Sequence, residues 1–406
     1  MEAGNKLNYI NGKDVFPSEL LDLIQNYTQG NYVYIPKREQ NKEMWGAKTS
    51  YRTELRLRNG HIYTHYLTGF SFVELGNKYC LSVKSIRRII SKKRKEAQEM
   101  KVKIEKLLDA WNINLEINQI YDSAWSIGND YIIKTNSNLE NLNRNITIMK
   151  TLYECGIPVA VPIKTTSGDD FLEHDDKYYL IMNKLPGTHI LDIYHTDYFT
   201  ISYETGKILA KLHSAFISCE QKITLWDNNF LDEMSGWVHS TLKTNNYRYI
   251  SEFDFKTTLN ELKECYSKLP KQLIHRDMHY GNILFNNDQF SGYIDFDLSQ
   301  KNVRIFDICY FLIGLLIDHE KNKDHIQIWY NIVSRFIEGY EVSNQLTKIE
   351  KDSICCLISC IELLFIAYFL DMKDEILAQS AANLYYFINT NKNRIQSIIN
   401  GHFVMK

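Results

Sequence analysis

A chain of 406 residues is longer than one hydrophobic core usually supports, so two or three folding units are expected. The apolar share of 44% is that of an ordinary globular protein. A formal net charge of −2 conceals an asymmetry, because residues 1–100 hold 17 Lys and Arg against 10 Asp and Glu while the remainder holds 30 against 39. That balance leans toward an anionic partner for the front and a cationic or metal-assisted substrate for the rest.

Eight cysteines (Cys80, Cys155, Cys219, Cys265, Cys309, Cys355, Cys356, Cys360) show no C-x-x-C pairing, and several lie in apolar runs such as ICCLISC. They read as buried thiols in a reducing cytosol. The opening MEAGNKLNY lacks the build of a signal peptide, and no apolar run approaches membrane-spanning length, so a cytoplasmic protein without a membrane segment is expected. The 27 tyrosines are scattered and read as amphipathic packing residues.

In chain order, FPSELLDLIQNYTQG spaces Leu20, Leu21, Leu23, Ile24 and Tyr27 as a helix stopping at Gly30. NYVYIP is a short or edge strand limited by Pro36. A helical pattern runs from Tyr51 to about Leu67, and after Gly69 a helix carrying Leu75 and Tyr79 turns near Cys80–Ser82 into a second helix carrying Ile86, Ile89 and Ile90. Residues 92–106 read as a helical extension of that second helix into the next domain. INLEINQI and DYIIKT then flank a turn at Gly128-Asn129-Asp130 as a hairpin. A helix from about Leu139 to Tyr153 ends at Gly156, IPVAVPI begins another strand, and YYLIMNKL is a buried strand. From about Leu191 the pattern is helical, apart from a strand pair near 283–296.

That strand pair lies in the informative stretch, QLIHRDMHYGNILFNNDQFSGYIDFDLS. Two apolar runs, NILF and GYIDF, are joined by Asn286-Asn287-Asp288, so Asn282 starts one strand and Asp295 ends its partner. Asp277 stands five residues before Asn282 on the entering loop. A magnesium ion wants hard oxygen ligands and keeps several waters, so one carboxylate and one amide suffice. A second carboxylate accepts the proton of an attacking hydroxyl and aims it at a γ-phosphate.

The spacing H-R-D-x-x-x-x-N followed by I-D-F resembles the catalytic-loop and metal-loop pair of kinases. In the form HRDMHYGNILF…GYIDFD it is similar to the aminoglycoside phosphotransferase and choline kinase group, over about residues 111–406. The resemblance implies an α+β, bilobal protein-kinase-like fold, with a small β-rich N-lobe and a mainly helical C-lobe, that transfers the γ-phosphate of ATP to a hydroxyl of a small molecule. It makes Asp277 the base, Asn282 and Asp295 the Mg2+ ligands, and His275 a shaper of the loop. Asp307, in VRIFDICYFL, caps a helix and braces that loop. Asp297 is either a second metal contact or an exposed carboxylate, and His279 a packing or loop residue. Lys134, ending the strand DYIIKT, contacts the α- and β-phosphates, and the hinge-like IMNKLPGTHI sets Met182, Asn183 and Leu185 at the nucleotide. Read in one dimension, the hinge does not choose ATP over GTP. Where the family pairs its lysine with a helix glutamate, this chain has Asn145, which can orient the lysine but not neutralise it, with Glu140 one turn earlier as a substitute. No glycine-rich phosphate loop is legible at Ser126–Asp130. Acidic residues of the C-terminal helices, such as Glu362 and Asp371, suit a cationic acceptor and equally suit solvent.

In the front part, residues 83–95 carry seven basic side chains and no acidic one on the second helix of a helix-turn-helix. Residues 16–95 are similar to the Mor-type transcription activators. This resemblance implies DNA contacts by Ser82, Lys84, Ser85, Arg87 and Arg88, a strand at Tyr34, Ile35 and Pro36, and a homodimer made by the front section. Gly76 stands where that family more often has alanine. The expected organisation is a helix-turn-helix domain at 1–100, a helical linker at 101–110, an N-lobe at 111–187 and a C-lobe at 188–406. Two readings of the whole follow: a kinase fused to a DNA-binding domain, or, motivated by Asn145, a regulator whose kinase-like domain senses a nucleotide or metabolite.

Overall fold

A computed structural model of the protein describes residues 20–21, 49–79, 81–121, 124–224, 228–316 and 324–401. The chain divides into two compact units, Met1–Arg56 and Leu57–Lys406. In the first, the described backbone is helical at 20–21 and from Thr49 onward. The expected strand at Tyr34, Ile35 and Pro36, the dimer-forming section that contains it, and Cys80 lie outside the described residues.

Helix α1 spans Thr49–Leu67, α2 Phe72–Lys78 and α3 Val83–Leu107. The start of α2 is a capping box: the Glu74 N–H donates to Ser71 Oγ at 3.2 Å and the Ser71 N–H to Glu74 Oε2 at 2.8 Å. Ser82 begins α3 by accepting the Ser85 N–H at 3.1 Å. Ile62 and Tyr63 from α1, Leu75 from α2, and Ile86 and Ile90 from α3 bury one another in a small core. Each such side chain contributes roughly 1.5–3 kcal/mol of transfer free energy. Beyond Ile90 the helix continues, supported by Lys92–Glu96 and Lys95–Glu99 pairs at 3.7 and 3.9 Å. It ends with Ile104 and Leu107 in a second core, against Trp111, Ile117 and Tyr179.

That second core underlies a five-stranded antiparallel sheet of β1 (Ile117–Tyr121), β2 (Ala124–Ile127), β3 (Tyr131–Asn136), β4 (Leu172–His174) and β5 (Lys177–Asn183), in the order β1-β2-β3-β5-β4. Helix α4 (Leu139–Glu154) crosses between β3 and the edge pair. The expected two-strand hairpin is therefore three strands. AWSI was hidden because Ala124 and Trp125 are both buried, which breaks the two-residue alternation by which a strand is recognised. IPVAVPI forms no strand. It contributes only single bridges, Val159 to Tyr293 and Pro162 to Met182, since two prolines remove the donors that a ladder needs.

The remaining elements are α5 (Tyr198–Glu220), short helical segments from Phe230 to Thr244, α6 (Glu252–Tyr266), β6 (Lys271–Ile274), β7 (Ile283–Asn286), β8 (Gln289–Tyr293), β9 (Gln300–Val303), α7 (Ile305–Gly314), α8 (Asp324–Glu341), α9 (Lys348–Asp371), α10 (Glu375–Thr390) and α11 (Lys392–Ile399). β7 pairs with β8 as expected, and β6 with β9, which the sequence reading missed. Asn282 sits in the tight turn just before β7, and Asp295 two residues past β8. Helices α5 and α8 pack backbone to backbone at two glycines. A Cβ on Gly206 would meet the Phe336 carbonyl at 2.0 Å, and one on Gly339 the Tyr203 carbonyl at 2.0 Å.

The expectation that no run approaches membrane-spanning length is corrected by α9, whose best 18-residue window has a mean hydropathy of 2.3. Most of that window, 72%, is buried inside the protein, so the helix is apolar because it is the core element of the large lobe. A buried ion pair, Arg304 to Glu350 at 2.6 Å, joins its first turn to the end of β9. Cys219, Cys309, Cys355, Cys356 and Cys360 are buried as expected, whereas Cys265 is half-buried and Cys155 exposed.

Candidate active site

The loop after β6 owes its shape to one carboxylate. Asp307, fully buried in the first turn of α7, accepts the backbone N–H of His275 and of Arg276, each at 2.8 Å, and lies 3.1 Å from His213 Nε2. Arg276 takes a left-handed backbone conformation (φ 72°), and its guanidinium lies on Glu233 at 2.7 Å and over the Phe306 ring at 3.9 Å. His275 is buried, and burial lowers its pKa despite the nearby Asp307 charge, so the ring is neutral. Its Nε2 lies 3.1 Å from the Ile294 carbonyl, which ties this loop to the one carrying Asp295. Asp307 and His275 thus tie the loop in place, but Asp307 does not cap α7, whose start has no side-chain cap, because its carboxylate is taken by the loop N–H groups. His213, Glu233 and Arg276 were missed, although His213 stands in the quoted helix ETGKILAKLHSA.

Asp277 faces the cleft. The Tyr310 hydroxyl donates to its Oδ1 at 2.9 Å and Asn282 Nδ2 to its Oδ2 at 3.0 Å. His279 was read as a packing or loop residue, but it stands beside the carboxylate. The Gly281 N–H donates to His279 Nδ1 at 2.9 Å, which turns Nε2 toward Asp277 Oδ2 at 3.5 Å and Asn282 Nδ2 at 3.2 Å. Burial raises the Asp277 pKa, but the hydrogen bond and charge of His279 and the Tyr310 hydroxyl outweigh it, leaving it at about 2. Tyr310 was also missed. The only signal was its place one turn after Asp307 on a helix already linked to the loop.

The Asn282 amide nitrogen donates to the Asp277 carbonyl at 2.7 Å and Oδ2 at 3.0 Å. The Ile294 N–H donates to the Asn282 carbonyl at 3.1 Å, and the left-handed backbone of Asp295 (φ 67°) follows at once. Lys134 Nζ lies 2.9 Å from Asp295 Oδ1 and 3.8 Å from Asp297 Oδ2. Burial lowers the lysine pKa and the two carboxylates raise it, with a net rise. For Asp295 burial is outweighed by Lys134 and the pKa falls, whereas for Asp297 burial and the Asp295 charge prevail and it rises. The carboxylate pair and one amide oxygen are a hard-oxygen set suited to a divalent cation that keeps water and phosphate ligands.

Asn145 does not orient the lysine. Its Nδ2 donates to Asp297 Oδ1 at 2.6 Å, and Glu140 is exposed without an ion pair among the described residues. Asp295 and Asp297 instead supply the countercharge that a helix glutamate would have given. Lys134, Met182, Asn183, Leu185, Asp295 and Asp297 line one cavity of about 540 Å³. Its roof is formed by Tyr121, Ala124 and Ser126 around the β1–β2 connection, rather than by the 128–130 turn. His279 and Tyr310 line a second cavity, of about 610 Å³, bounded by α9 and α10. Asp277 lines neither cavity itself; it is bonded to Tyr310, which lines the second.

In the front helices, Lys84, Arg87 and Arg88 are exposed and form no ion pair among the described residues, although Arg87 lies over the Phe72 ring at 5.5 Å. Ser82 and Ser85 are engaged with each other at the helix start, their hydroxyls 3.0 Å apart.

A small five-stranded lobe over a helical lobe, with a lysine facing a carboxylate across the cleft, is the architecture of a small-molecule kinase. Residues 120–329 match the phosphotransferase enzyme family, and the chain belongs to that family. A homoserine kinase of Polaromonas naphthalenivorans (strain CJ2) is 25% identical over 223 residues, which cover 52% of this chain and 65% of that enzyme. The uncharacterized protein YraL of Bacillus subtilis (strain 168) is 33% identical over 85 residues, 21% of this chain and 98% of that protein. Among solved structures, an amicoumacin kinase in complex with AMP-PNP and Ca2+ superposes with a TM-score of 0.54 at 16% identity, covering 75% of this chain and 96% of that one.

Proposed function

We propose that the chain transfers the γ-phosphate of ATP to a hydroxyl of a small molecule. The observation that carries this reading is the position of Asp277: ionised, bonded to the amide of Asn282 at 3.0 Å and to the hydroxyl of Tyr310, which lines the 610 Å³ cavity. The acceptor hydroxyl docks on Asp277, its oxygen bonds the γ-phosphorus as the bond to the bridging oxygen of ADP breaks, and its proton passes to the carboxylate. With a pKa near 2, Asp277 is a weak base that takes the proton late, and positioning is the larger part of its work. Lys134 holds phosphate oxygens once a nucleotide draws it from Asp295, and Met182, Asn183 and Leu185 border the base. Asn282 Oδ1 and Asp295, with Asp297 beside them, would hold a magnesium ion, whose chemistry is to neutralise charge on the phosphates.

The test is phosphate transfer measured as ADP release across a panel of hydroxylated amines and alcohols. Asp277→Asn should lower kcat by about 10³-fold while leaving nucleotide affinity within a factor of about two. Equal turnover by both proteins on every acceptor would end this reading.

A DNA-binding role for the front helices, as a domain over about residues 1–100 joined through 101–110 to the N-lobe, is supported by the exposed Lys84, Arg87 and Arg88 near the start of α3. α3 also runs unbroken into the small-lobe core through Ile104 and Leu107, and this favours the second reading, in which nucleotide occupancy is sensed by the DNA-binding end. DNA affinity measured against salt tests both: Arg87→Ala should reduce the salt slope by about one. Sensing further requires that AMP-PNP alter the affinity of the wild type.

A further inference from the structure

The phosphotransfer chemistry leaves one side chain of the 610 Å³ cavity unused. Glu362, midway along α9, is only 3% exposed and has no hydrogen-bond or ion-pair partner among the described residues. It lines the same cavity as His279 and Tyr310, the two groups that hold Asp277. An isolated carboxyl buried in protein is destabilising, and burial drives its pKa well above that of an ordinary glutamate. Such a group is retained at a cavity wall when its partner arrives with a ligand.

The surroundings define that ligand. One and two turns along the same face of α9, Phe365 and Phe369 stack at 5.7 Å, and Phe365 lies 5.9 Å from Tyr310. Leu377, Ala381 and Leu384 of α10 also line the cavity. The other carboxylate there, Asp192, is already engaged by His195 Nδ1 at 2.8 Å and the Tyr194 N–H at 2.9 Å. No lysine or arginine lines the cavity among the described residues.

Resting on the phosphotransferase reading, we propose that the acceptor is an amino alcohol with a single ammonium group on an apolar body, the ammonium paired with Glu362 and the hydroxyl directed to Asp277. The aromatic faces of Phe365 and Tyr310 add cation–π attraction. A zwitterionic amino acid such as homoserine is disfavoured, because among the described lining residues its carboxylate finds no lysine or arginine. A polycationic amino sugar is disfavoured because further ammonium groups find no other unengaged carboxylate among the described lining residues. Asp371, the other acidic residue singled out in the sequence, plays no part: it is exposed and accepts from Thr241 at 3.3 Å.

The experiment measures binding and transfer separately. By calorimetry, the wild type should bind 2-phenylethylamine at least tenfold more tightly than 2-phenylethanol, and E362Q should bind the two within a factor of two. AMP-PNP affinity should be unchanged in the variant, and E362Q should melt no lower than the wild type. With Mg-ATP, 2-amino-3-phenylpropan-1-ol should be phosphorylated in preference to homoserine, and E362Q should raise its KM at least 30-fold with kcat within threefold. The proposal falls if the wild type shows no amine preference, if E362Q retains it, or if homoserine is the better acceptor. If Asp277→Asn abolishes transfer but E362Q keeps the amine preference, only this proposal fails. If amine binding depends on Glu362 but no acceptor is phosphorylated, the phosphotransferase reading fails instead.

Discussion

Asp307 accepts the backbone N–H of His275 at 2.8 Å across 32 residues of chain, so the loop that presents Asp277 is hung from the helix behind it. The same carboxylate holds Arg276 at 2.8 Å and His213 at 3.1 Å, and its contacts with His275 and His213 are fully buried. Asp307→Ala should destabilise the protein by about 3 kcal/mol, because two buried N–H groups lose their acceptor. The urea midpoint measures this, and an unchanged midpoint would remove the brace from the account.

His275 makes stability depend on pH with a definite sign. Its folded pKa lies below the unfolded value because burial favours the neutral ring. The unfolded chain therefore binds more protons below about pH 6.5, so the contribution is fully present above that value and is lost as pH falls through the window beneath it, by at most about 1.4 kcal/mol per pH unit. His275→Gln should flatten the pH dependence of the urea midpoint between pH 7 and pH 5.

The Asp277 pKa of about 2, held down mainly by His279 and Tyr310 against burial, works in a lower window. Its stabilisation is present above the ordinary carboxylate range and fades only as pH falls toward 2. An acid limb of kcat near neutrality should therefore not come from this carboxylate. Tyr310→Phe, which removes one of its donors, should raise the Asp277 pKa, read directly by carboxyl 13C shift titration.

Asp295 Oδ1 lies 2.9 Å from Lys134 Nζ, so a divalent ion held by Asp295 would compete with an ammonium for the same oxygen. Asp295→Asn should weaken divalent-ion dependence at least tenfold, measured as the metal concentration for half-maximal nucleotide binding. Asp297→Asn should act in the same direction and more weakly, because its carboxylate is also tied to Asn145 at 2.6 Å.

Gly206→Ala should destabilise the large lobe by about 2–3 kcal/mol, because its Cβ would fall 2.0 Å from the Phe336 carbonyl and backbone cannot move aside cheaply. A thermal midpoint within a degree of the wild type would show that α5 and α8 can separate.

The closeness of Asp277, Asn282 and Asp295 was legible in the sequence because the three sit within one loop and one hairpin, where spacing alone limits how far apart they can lie. The helical segments carrying Leu75, Ile86 and Ile90 were legible for the same reason, because those residues follow a helical period. What spacing could not decide was every contact made across the fold. The partner of Lys134 stands 161 residues away, and the guess that Asn145 would serve it failed because a side chain's neighbour is set by how α4 packs, not by where it falls in a motif. Tyr310 and His279 came to Asp277 through the placement of α7 and the bond from the Gly281 N–H that orients the His279 ring. Glu362 and Asp371 are the same kind of acidic signal in one dimension, yet one is sealed against an apolar cavity and the other lies in solvent. Burial sets the pKa of a carboxylate and its appetite for a partner, and burial is a property only the tertiary structure confers.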